Sequence, residues 1–165
     1  MTDAPKSRWS FSLKTLFVVV TVAGCLMLLL LPVANYVAWR GYHIKGSDLI
    51  ASMDSRRPST VSPREWEVVH FWIGVAFANV CFSPDHVSLA ELKRFNNDLD
   101  SKLQGKVDLN TVDWIWERLA STGPQGAGYV ERFMPQYRDE LESAQSSRSP
   151  ALWPATQKPD STDSR

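Results

Sequence analysis

His70 and Asn79 are the two polar residues in an otherwise apolar stretch from Val68 to Phe82. A histidine in such a setting could act as a general base or a metal ligand. Nine positions separate the pair, which at about 100° per residue places them on opposite faces of a helix, so they make no common site. His70 shares its face with Trp66, Ile73 and Phe77 and reads as a hydrogen-bonded histidine at the edge of a core. Asn79 is expected to bond a loop backbone or a facing helix. Asp85, His86 and Glu91 have the types for a weak cation site, but a helix starting at Ser88 explains them as capping residues.

Other constellations fail on their spacing. Gly123, Gly126 and Gly128 have no strand before them and no Gly-Lys-Ser/Thr after them, so they read as an interhelical turn rather than a phosphate loop. Cys25 lies in a hydrophobic run and Cys81 far along the chain. No intrachain disulfide is expected, and two cysteines are too few for a paired-cysteine zinc site. Serine and cysteine nucleophile signatures are absent, and the acidic residues are scattered over caps and polar faces. The expectation is a non-catalytic protein with no metal and no cofactor.

Trp114 is the most informative side chain. The segment from Asp108 presents Val112, Ile115, Trp116 and Leu119 as one apolar face. Trp114 therefore points to the other side, with Thr111, Arg118 and Ser121. Tryptophan and arginine one turn apart can stack, and both are enriched at binding hot spots. Trp114, Arg118 and Thr111 are the predicted interface with a protein partner. The competing reading is that this helix is sandwiched and Trp114 packs on a neighbouring element.

These residues hang on an anchor. No charge occurs between Lys14 and Arg40, a run of 25 positions. At about 1.5 Å per residue this exceeds the roughly 30 Å of a bilayer's hydrocarbon core. Trp9 precedes the run, and Tyr36 and Trp39 close it, as amphipathic aromatics do at the two interfaces. Pro32 lies near one end, where a membrane helix tolerates it. The predicted span is 15–39. Lys6, Arg8 and Lys14 precede it, against Arg40 and Lys45 after it, so the positive-inside rule predicts a cytoplasmic N-terminus and an exported C-terminal domain. The margin is one charge.

Three rival readings of this segment each miss a key residue. A cleaved signal peptide needs a small-x-small site, and Tyr36 stands two positions before Ala38. Val22-Ala23-Gly24-Cys25 resembles a lipobox, but Leu26 to Leu31 stay apolar where a mature lipoprotein turns polar. Phe11-Ser12-Leu13, the aliphatic run, Gly24 and Pro32 are spaced as in a type IV prepilin. Ser10 and Thr15, however, replace the glycine and glutamate on which pilin processing and assembly depend. The start Arg8-Trp9-Ser10-Phe11-Ser12-Leu13-Lys14-Thr15-Leu16 resembles a short membrane anchor common in planctomycete bacterial proteins. The resemblance covers about 30 residues and implies attachment to a lipid bilayer without any activity.

The rest of the chain divides by composition. Residues 1–14 form a basic tail, 40–61 a polar stalk, 62–144 a helical domain and 145–165 a disordered tail rich in Ser, Pro and Thr. Within the stalk, Ser47 to Met53 could make two turns of helix with Ser47 as its cap. Four helices are expected in the domain. The first starts at Ser62-Pro63-Arg64-Glu65 and stops at Ser83-Pro84; the second starts at Ser88 with Glu91 and ends at Gly105. The third starts near Asp108 or Asn110 and stops at Gly123-Pro124; the fourth starts around Ala127, with a kink at Pro135. The first is apolar on most faces and should be the central helix, with a second membrane span as the alternative. No period-2 strand of useful length is present.

The chain carries 18 basic and 18 acidic residues. Setting aside Lys6, Arg8, Lys14, Arg40 and Asp3 around the span leaves 14 basic and 17 acidic residues, which gives no footprint for nucleic acid. The predicted fold class is all-α: one transmembrane helix followed by a small helical domain. The leading functional reading is a membrane-tethered module for protein–protein interaction or scaffolding. The alternatives are a ligand-binding or enzymatic domain with a pocket around residues 62–82, and a divergent pilin-like protein.

Overall fold

The computed structural model describes residues 12–147. The basic tail before residue 12 and the C-terminal stretch after residue 147 lie outside the described residues. Those described are all-helical, with no strand. The order is α1 (Leu13–Ala51), a 3₁₀ turn (Ser52–Arg56), α2 (Pro63–Val80), α3 (Leu89–Gln104), α4 (Leu109–Ala120) and α5 (Gly126–Ser146). The β-rich head of a pilin is not formed by these residues.

Local chemistry accounts for the helix starts. Ser62 accepts from the Glu65 backbone N–H while the Glu65 carboxylate accepts from the Ser62 N–H, and Pro63 occupies the first turn. Ser88 and Glu91 repeat the arrangement at α3, and Asp108 with Thr111 makes the equivalent box at α4. Each cap satisfies otherwise orphaned donors and is worth about 1 kcal/mol. Pro135 sits within α5, which continues two residues beyond the expected end at 144.

The stalk is the main correction. Residues 40–51 continue α1 without a break, and Ser47, expected as a cap, lies inside the helix and donates to the His43 carbonyl. Trp39, Gly46, Ile50 and Met53 are buried in the domain. Two glycines and several polar residues made this segment read as linker, since glycine costs a helix about 1 kcal/mol per position. At Gly46 the lack of a side chain is the point. A Cβ there would overlap the Phe77 ring on α2 and come within 2.7 Å of Asn96 Oδ1 on α3. Asn96 is fully buried and donates through Nδ2 to the Tyr42 carbonyl at 2.6 Å. Packing against two helices outweighs the local propensity.

α1 packs chiefly on α3 and also on α2, while α2 packs chiefly on α5. α2 buries Trp66, Val69, Ile73, Ala76, Phe77 and Val80, so it is a core helix of the bundle rather than a second span. α1 is the single described helix long and apolar enough to cross a membrane.

Candidate functional site

The apolar half of α1 is bare. Leu16 to Leu31 carry exposed aliphatic side chains all round, with no domain residue over them. Cys25 is exposed within this stretch. Cover begins at Trp39, which was expected to lie free at the lipid interface. Instead it is 4% exposed, and its indole N–H donates to the Val87 carbonyl at 3.1 Å. Tyr36 stacks on Trp39 and stays half exposed. The chain thus passes from bare helix to packed domain within one turn, with no flexible segment between.

The predicted interface residues separate. Thr111 is 8% exposed and belongs to the α4 cap, where its backbone N–H donates to Asp108 Oδ1 at 3.0 Å. It therefore drops out of any outward surface. The periodicity argument put it on the outer face, but its hydroxyl is held by Asp108 and its side chain is buried, while its neighbours Leu109 and Asn110 stay exposed. Trp114 and Arg118 are both half-buried along the seam between α3 and α4. The Lys102 ammonium lies 5.5 Å from the centroid of the Trp114 ring. Arg118 pairs with Asp98 at 2.9 Å. Trp114 and Arg118 thus share a surface with two charged residues of α3 that sequence spacing could not bring to them.

The polar core positions resolve differently. His70 lies on the rim of α2 with Nδ1 3.7 Å from Asp54 Oδ1, beyond hydrogen-bond length, while its Nε2 is buried without a partner. Asp54 is largely exposed, so the pair lies on an open surface rather than in a water-excluding pocket. Asn79 was expected to reach a loop or a facing helix. It donates instead to the Val75 carbonyl one turn back on α2, at 2.8 Å. Among the described residues no group of three or more His, Cys, Asp or Glu is placed to hold a metal ion.

His43, which sequence reasoning leaves in the stalk without a role, sits in ring contact between Trp39 and Phe77, with both centroids 5.2 Å away. Burial lowers its pKa from the ordinary 6.5. Cys81 is fully buried, and burial pushes its thiol up to about 12, which removes it as a nucleophile near neutral pH. A concave surface of about 700 Å³ runs between α4 and α5 over Ala120, Val130, Met134 and Pro135, with Arg138 and Glu142 at its edge. No protein-family model, curated protein or solved structure matches this chain.

Proposed function

We propose that this chain is a single-pass membrane protein that holds a non-catalytic, protein-binding helical domain at a fixed attitude to the bilayer. Its N-terminus lies on the cytoplasmic side and its domain is exported, as the flanking charges favour. The observation that carries the reading is the continuity of α1. One helix of about 58 Å supplies both the bare apolar segment and, through Trp39, Gly46 and Ile50, part of the domain core. A flexible linker would suffice for simple retention at a membrane, whereas a rigid joint suits a surface that must meet a partner at a set height and orientation. The basic, aromatic start that resembles planctomycete anchors fits the same role.

The partner surface is assigned to the α3–α4 seam, around Trp114 and Arg118 with Lys102 and Asp98. A half-buried indole under an ammonium, beside a carboxylate-held guanidinium, offers an apolar contact with charged edges. Crosslinking in intact membranes, followed by identification of the captured protein, tests this. Trp114→Ala with Arg118→Ala should cut recovery at least tenfold while a cooperative thermal transition is retained. Undiminished recovery from the double variant would refute the assignment.

A further inference from the structure

The end of the bundle nearest the bare segment of α1 is built from residues 81–88, with residues 121–125 packed behind them. α2 runs antiparallel to α1, and three contacts fix the heights. The Trp66 indole donates to the Met53 carbonyl at the far end, Phe77 meets His43 in the middle, and Trp39 binds the Val87 carbonyl at the near end. Phe82 follows Phe77 by little more than one helical turn, which brings it to the level of Trp39 and Arg40 on α1. This is the level at which the uncharged run ends.

Phe82 is 71% exposed although Cys81 before it and Val87 after it are fully buried. The loop is not free to fold the ring inward. The N–H groups of His86 and Val87 both donate to the Ser83 carbonyl, at 3.0 and 3.2 Å. Gly123, with φ of +74°, lies so close behind that any Cβ there would overlap the His86 carbonyl oxygen. Ring contacts continue the patch from Phe82 to His86 at 6.3 Å and on to Tyr129 at 5.7 Å. Tyr36 and Val37 are exposed on α1 at the top of the apolar run.

We infer that the loop 81–88 inserts Phe82 into the interfacial layer of the same bilayer that α1 crosses. The occupant of this patch is the lipid surface, since the helix that fixes its height is the anchor itself and the patch lies at the level where the uncharged run of α1 ends. Aromatic side chains are favoured at the level of the headgroups, where one part is apolar and the surroundings are wet. A second contact beside α1 fixes the tilt of the domain as well as its distance. Asp85 is exposed in the same loop, and its carboxylate must stay on the watery side when Phe82 inserts. The inference rests on the reading of α1 as a membrane span.

Nitroxide labels on the full chain in phosphatidylcholine nanodiscs test it. One is placed at Phe82→Cys, in the loop, and another at Phe71→Cys, which is 57% exposed on α2 and about 14 Å along the helix from its end at Val80, away from the bare segment of α1. Both carry Cys25→Ala and keep the fully buried Cys81. The native Cys25 is labelled in a third sample. At 82, relaxation by lipid-soluble oxygen should exceed relaxation by a water-soluble nickel chelate several-fold, and at 71 the order should reverse. A label at 82 as open to nickel as the label at 71 overturns the docking. So does a label at 82 shielded from both reagents, because that pattern means a protein covers the patch. The Cys25 label separates the two readings: lipid-exposed at 25 but aqueous at 82 sinks the docking alone, and aqueous at 25 sinks the span itself.

Discussion

Individual side chains carry the sharpest disagreements with sequence reasoning, and each has a local cause. Helical spacing placed Thr111 outward with Trp114 and Arg118, but its role in the Asp108 cap turns it in. Asn79 satisfies itself on its own helix, an outcome periodicity cannot distinguish from a tertiary bond. His43 gave no signal in the sequence because its importance comes from Trp39 and Phe77, one on its own helix and one on α2. It also yields a pH prediction. Burial lowers the folded-state pKa below 6.5, so the unfolded chain takes up a proton first as the pH falls. His43 thus contributes stability fully above about pH 6.5, and that contribution is lost on acidification through the range below it. Chemical denaturation of the detergent-solubilised chain at pH 7.5 and pH 5 should show the loss. His43→Phe, which keeps a ring between Trp39 and Phe77, should shrink it measurably. Identical pH profiles for the two proteins would count against the buried, neutral histidine.

At the scale of elements, the starts of α2 and α3 were legible because Ser62 and Ser88 announce themselves with Glu65 and Glu91 three residues on, whereas at α4 the sequence left Asp108 and Asn110 both open and only the structure shows the Asp108–Thr111 box. The apolar stripes of α3 and α4 were legible for the same local reason, helical spacing. The second half of α1 was not. Gly41, Gly46 and Ser47 look like linker, and what makes them helix is tertiary: Phe77 and Asn96 fill the space that Gly46 leaves. A pair of substitutions separates propensity from packing. Gly41 has open space at its Cβ position, so Gly41→Ala should stabilise the domain by about 0.5–1 kcal/mol. Gly46→Ala gains the same propensity but drives a methyl into the Phe77 ring, and should destabilise by about 1–3 kcal/mol net. Urea midpoints in detergent measure both. Stabilisation of similar size from both substitutions would mean that α1 does not pack against α2 as described.

For the whole molecule, composition and the uncharged run already gave an all-α chain with one apolar helix. The way the anchor joins the domain was hidden, because it depends on contacts between residues far apart in sequence, such as Trp39 with Val87 and Tyr42 with Asn96. The proposed attitude of the domain, the height of its seam and the seating of its loop on lipid all depend on that joint. Amide hydrogen exchange of the full chain in nanodiscs, read over residues 40–51, tests it most directly. A rigid joint predicts exchange over these residues as slow as in the buried helix α2, and hence opening only with the domain. Exchange there at the rate of an unstructured peptide, with α2 still protected, would mean a loose tether and contradict the account.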